Sequence, residues 1–180
     1  MNWIDEVQLR LARGNQVLFA KNSPYLQDLS LLFQGQNHRV MALWAFSFAA
    51  ESVALLEERY PAETRPREAL QAAQDWAAGI IRMRMAQRKI LDCHALAKEL
   101  DDAADVAACH AIGQACAVVH TAGHAIGYPI YDLTALIRRL GVDRCVQAVE
   151  QRKQAYIERL RDCQAHLKDD PRTWADFMCK

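Results

Sequence analysis

Six histidines and six cysteines are the side chains of this 180-residue chain best suited to chemistry. Five of them, Cys109, His110, Cys116, His120 and His124, fall on one predicted helix over 103–126. On such a helix His120 and His124 lie four apart and share a face. With Cys116 they form an edge spanning about 80° of the circumference, an arrangement that could offer three ligands to a transition metal such as zinc. Two features count against that chemistry. The segment reads His-Thr-Ala-Gly-His and lacks the glutamate that a metalloprotease helix places after its first histidine. No acidic residue lies between Asp105 and Asp132 to orient an imidazole from the same helix. The same stretch also reads as a buried element: Ala108, Ile112, Ala115, Val119, Ala122 and Ile126 line one side, and Cys109, Gly113, Cys116, Gly123 and Gly127 line the next. His110, Gln114, Thr121 and His124 are left as a polar strip able to hydrogen-bond to a neighbouring helix. We therefore read no resident metal or cofactor here, and take His120 and His124 as packing or partner-facing groups. A metal site on Cys116, His120 and His124 is the alternative. Cys93-His94 on the preceding helix carries less weight as a further source, because adjacent residues point apart on a helix.

Arg65-Pro66-Arg67 is the second pattern of interest. Two arginines flanking a proline could clamp an acidic partner. The favoured alternative pairs them with carboxylates such as Glu57, Glu58 and Glu68 while Trp44 and Trp76 fill the core. The residues through which a partner would be bound are thus His120, His124, Arg65 and Arg67. Arg82, Arg84, Arg88 and Lys89 form the densest basic cluster, followed by Glu99, Asp101, Asp102 and Asp105, and read as solvated faces rather than a phosphate site. The chain carries no G-x-S-x-G elbow, P-loop, dinucleotide fingerprint or EF-hand loop. Its four serines (Ser23, Ser30, Ser47, Ser52) do not adjoin a histidine. An enzyme is not expected.

The elements that must position these groups follow from composition. Alanine supplies 30 residues, valine, isoleucine and threonine together 23, and glycine with proline only 12. Such a chain favours helices over strands, and it is long enough for one domain with its own core. Lysine plus arginine equal aspartate plus glutamate at 22 each, leaving no bulk field to capture nucleic acid or an anionic membrane. Residues 1–6 carry acids where a secretory signal would be basic, and the apolar run over 40–50 is shorter than the ~18–20 residues that span a bilayer. A cytoplasmic protein with reduced cysteines is expected. None of the six falls in a C-x-x-C pair, and their default role is apolar filler.

Helices are predicted over 3–13, from the Ser23-Pro24 cap to Gly35, over 37–60 ended by Pro61, over 64–78 and 82–100, and over 103–126, capped by Asp101-Asp102 and terminated by Gly127 and Pro129. Two more follow over 131–140, closed by Gly141, and from Asp143 to about 168, with a last turn near Trp174. Short connections favour a single-domain all-α bundle of about six to eight mostly antiparallel helices. We divide it into an N-terminal helical extension, 1–36, and a bundle domain, 37–180.

Trp44-Ala45 with Ala49 and Ala50, Tyr60-Pro61, Arg65-Pro66-Arg67, Ala69, Trp76, Gly79, His120, Gly123-His124-Ala125 and Tyr131 occur in an order that resembles a bacterial family of immunity proteins. This is the immunity protein 5-like group of polymorphic-toxin systems, and the resemblance covers about 37–139. It implies an α-helical cytoplasmic protein that binds and neutralises a cognate toxin and has no catalytic residues. A metal-binding helical protein, or a helical scaffold or homo-oligomer subunit, are the other readings of the residues.

Overall fold

A computed structural model describes residues 2–180. Among them are eight α-helices joined by short 3-10 turns, with no strand, and the molecule is the all-α bundle expected. Helix α1 (Trp3–Ala12) opens with a capping box: the Asn2 side chain accepts from the backbone in the first turn, and Asp5 accepts from the Asn2 amide. It buries Trp3 and Val7 in the common core. A turn at Pro24–Leu26 leads into α2 (Gln27–Phe33). Ser23 does not cap this segment. Its hydroxyl donates to Glu6 at 2.6 Å, and the Ala20 amide donates to the same carboxylate, which ties the connection back onto α1.

Helix α3 (His38–Arg59), capped by Asn37, is the longest of the bundle and packs against α4, α6 and α8. By length and composition it could cross a membrane, although the 40–50 run alone is too short. Its place in the fold gives that apolarity another purpose. Val40, Met41, Trp44, Ala45, Phe48, Ala49, Val53 and Leu56 are buried on several sides because neighbours surround the helix. Trp44 is fully buried. Its indole N–H donates to the Tyr156 carbonyl at 2.9 Å, and its ring meets Phe33, Phe48, Tyr128 and Tyr156.

Helix α4 (Arg65–Ala77) carries Pro66 in its first turn, where the missing N–H costs nothing. It stops at Gly79, whose φ of +76° suits glycine; the Ile80 amide reaches back to the Asp75 carbonyl. Helix α5 (Met83–Leu96) then runs beside it, ending short of the predicted residue 100. Helix α6 (Ala103–Ala117) is capped by Asp102, whose carboxylate accepts from the Ala104 and Asp105 amides. Its alanines, glycine and cysteines let α3, α4, α5 and α7 approach closely. A Cβ at Gly113 would collide with the His94 ring of α5.

The predicted helix over 103–126 is corrected by the structure. It ends at Ala117, Thr121 is extended, and a separate turn spans Ala122–His124. Val118, Val119, Thr121 and Gly123 are each poorer helix formers than the alanines before them, and together they break the helix. Gly127 and Pro129, read as terminators, instead open α7 (Gly127–Leu140), with the proline in the first turn. Helix α8 (Val146–Ala165) begins after Cys145 rather than at Asp143 and buries Val149, Tyr156, Leu160 and Cys163. Lys153, which interrupts that apolar stripe, faces the N-terminal segment. Its ammonium donates to the Tyr25 carbonyl at 2.6 Å, pairs with Asp28 at 2.9 Å and lies over the Tyr25 ring. Finally, the Ala175 amide donates to the Ala77 carbonyl, seating Met178 in the core and Phe177 beside Trp76.

Candidate functional site

The break after Ala117 removes the shared helical face that the metal alternative required. Cys116 points into the core, fully buried, and burial pushes its thiol up to about 12. A metal ligand must be the thiolate. His120 is exposed, with its ring stacked on Trp76 at 6.3 Å between centroids. His124 is half-buried, with Nδ1 3.4 Å from the Gln114 side-chain oxygen; burial, then the charges of His120 and Lys21, lower its pKa. No group of three or more His, Cys, Asp or Glu side chains converges at metal-ligand spacing among the described residues.

The polar strip of α6 does bond across to a neighbour, through His110. His94 and His110 approach Nδ1 to Nδ1 at 2.9 Å, so one ring donates and the other accepts. Both rings titrate below the ordinary histidine value. Burial is the cause for His110, and burial followed by the charge of His110 for His94. The pairing joins α5 to α6 and was not legible in sequence, because sixteen residues separate the two rings.

Both arginines of the Arg-Pro-Arg turn are engaged within the chain. Arg65 forks onto Glu63 and Glu99, each at 2.7 Å, and Arg67 forks onto Glu57 at 2.8 and 2.6 Å. Glu57 was an expected partner. Glu68 instead takes Lys89, at 2.7 Å. The turn therefore staples the end of α3 to the start of α4 and to the chain beyond α5.

Two carboxylates organise the interior, and one of them, Asp105, corrects the expectation of a solvated face, because it is fully buried. Asp105, fully buried, accepts from Arg59 and Tyr60 at 2.7 Å and from Arg139 at 2.9 Å, joining α3, α6 and α7. Asp132 accepts from Arg152 at 2.7 Å and from both Tyr128 and Tyr156. Arg152 also lies over the Phe48 ring at 4.8 Å, and burial near Asp132 holds both phenols well above the usual tyrosine range. These are hydrogen-bonded pins of a helical core.

Five of the six cysteines are buried and free, and Cys179 is exposed and free. Burial pushes the Cys109 thiol up to about 12 and Cys163 up to about 11, so the buried cysteines act as the apolar filler expected of them.

What remains is a helical molecule whose interior polar groups serve packing and whose surface must carry any recognition. The Imm-5 like putative immunity protein family matches residues 31–162. The chain belongs to this immunity-protein family. The match extends beyond the 37–139 resemblance and takes in most of α8, which the motif comparison had left outside. No curated protein and no solved structure matches the chain.

Proposed function

We propose that the protein is a cytoplasmic, non-enzymatic immunity protein that binds a cognate bacterial toxin and neutralises it by occupying it. The family match over 31–162 carries this reading. Six free thiols suit a reducing compartment. His120 and His124, on the 118–126 connection, stay within reach of a partner, whereas Arg65 and Arg67 spend their hydrogen bonds inside the chain. The proposed role uses no resident metal. Protein purified without chelator should hold no stoichiometric zinc.

The test is genetic. Deleting the gene should make cells sensitive to one of the toxins they carry, and supplying the chain in trans should restore growth. The purified chain should form a stoichiometric complex with that toxin. If deletion leaves cells unharmed by every toxin they carry, the reading fails.

A further inference from the structure

We infer that the outward face of α5, with the turn leading into it, is the surface that takes the toxin, and that the toxin offers it an apolar hollow rimmed by carboxylates. This rests on the immunity reading and adds the binding face and the chemistry of the partner. Helix α5 turns Ala86, Ile90 and Cys93 inward at helical spacing. Arg84, Arg88 and Leu91 repeat that spacing on the opposite side, with Met85 flanking them. A solvated helix face normally carries polar residues there. Here Met85 and Leu91 are each 58% exposed, Met83 44%, and Ile80, in the preceding turn, 73%. Four of the molecule's exposed large apolar side chains therefore fall within twelve consecutive residues, 80–91. Around Met85 and Leu91 the side chains of Arg84, Gln87, Arg88 and Lys89 enclose a shallow depression of about 650 Å³.

The charges decide what would fit. Arg59, Arg65, Arg67, Arg139 and Arg152 are all committed to carboxylates of the chain. The guanidinium groups of Arg82, Arg84 and Arg88 make no hydrogen bond or ion pair among the described residues, and only Lys89 in this group is paired, with Glu68. The sequence holds no acidic residue between Asp75 and Asp92, and Asp92, one turn beyond Arg88, forms no ion pair with it among the described residues. In a chain of zero net charge, this face is a concentrated cationic area around exposed methionine and leucine. Arginine and methionine are enriched in protein interfaces, and the guanidinium fork suits a partner's carboxylate. Methionine adapts its shape to an apolar hollow. A nucleic-acid backbone would engage the arginines but leave Ile80, Met85 and Leu91 without use, so a protein fits better. The backbone of the face is held from within the fold. Gly79 and the Ile80–Asp75 backbone bond fix the entry, and α4 and α6 hold the helix from behind. Binding then has to order the long side chains of the face but not its backbone.

The experiment uses the full chain and the toxin identified by the deletion test, with affinity measured by calorimetry at two salt concentrations. The double variant Arg84→Glu, Arg88→Glu should bind roughly 100-fold more weakly, through lost pairing and like-charge repulsion. Met85→Glu should lose about 30-fold, as for the centre of an interface. The neutral pair Arg84→Gln, Arg88→Gln should lose about tenfold and most of the salt dependence. Leu31→Glu, an equally exposed position on α2, should bind like the wild type. Thermal melts must match for each comparison to count, and the glutamine pair provides a milder variant should charge reversal disturb folding. If the wild type protects and binds while the α5 variants do so equally well, the docking face is wrong and the immunity reading stands. A wild type that neither protects nor binds overturns both. Duplex DNA binding lost in the double variant, or a dimer dispersed by Met85→Glu, would give the face to those occupants and overturn the proposal.

Discussion

The two sides of α5 are built from the same kinds of residue put to opposite uses. Inward, Ala86, Ile90 and Cys93 fill the gap against α4 and α6, and His94 finds its one partner in His110 above the hollow left by Gly113. Outward, Met85 and Leu91 are left largely exposed, and Arg84 and Arg88 pair with no carboxylate among the described residues. An inward substitution must disturb packing or strand a polar group. An outward one has little in the folded chain to disturb. Stability and recognition are therefore separable along one helix, and the separation can be attacked by mutation.

The largest loss is expected deepest inside. Asp105→Ala removes the acceptor shared by Arg59, Tyr60 and Arg139 and leaves part-buried donors facing an apolar gap. Three hydrogen bonds are lost at once while water reaches the part-exposed Arg59 and Arg139, so the cost is about 2–4 kcal/mol, and urea unfolding should show it as a lower midpoint. Should Asp105→Ala melt like the wild type, the interior is not organised around that carboxylate.

Next comes Gly113→Ala, whose added Cβ would strike the His94 ring. Overpacking of this kind costs about 1–3 kcal/mol. Adding His94→Ala should recover part of that loss, and the pair should be non-additive in a double-mutant cycle. Strict additivity would mean that the ring does not set the fit.

The pH response should be smaller and of fixed sign. His94 and His110 titrate below the ordinary histidine value of about 6.5 when folded, because burial penalises the cation. The unfolded chain therefore binds more protons in the interval below 6.5, and stability must fall as pH drops through it. It levels off once the folded imidazoles are protonated as well. His110→Gln should flatten this part of the stability profile, and an unchanged slope would assign it to other groups.

Smallest of all, Arg84→Glu with Arg88→Glu should change stability by no more than about 0.5 kcal/mol, the usual range for surface substitutions away from packing. A large loss of thermal stability would show that these arginines serve the fold, which would erase the contrast between the two faces.

Helix existence was legible in sequence where periodicity, a cap and a breaker agreed. The helices expected over 37–60, before Pro61, and from 103 are present, and the structure shows Asn37 capping α3 and Asp102 capping α6. Reading went astray where one local signal stood by itself. Gly127 and Pro129 read as an end although proline is equally at home in a first helical turn, and the helix expected from Asp143 starts only after Cys145. The candidate metal face failed for a related reason. The spacing of Cys116, His120 and His124 has meaning only on a continuous helix, and β-branched residues and glycine interrupt that helix after Ala117. Neither partner of Arg65 was among the carboxylates expected: Glu63 is two residues away, and Glu99, thirty-four residues away, is brought near only by packing.

By itself the sequence determined the all-α class, the main apolar helix and the kinship with immunity proteins, because these depend on composition, local periodicity and the order of short motifs. Only the tertiary structure decided which polar residues are spent inside the molecule. Asp105 gathers donors from α3 and α7, His94 finds His110, and Arg67 finds Glu57. Arg82, Arg84 and Arg88 are left over by that same sorting. A charge is neutralised by whatever lies within a few ångströms of it, and that distance is set by how helices pack.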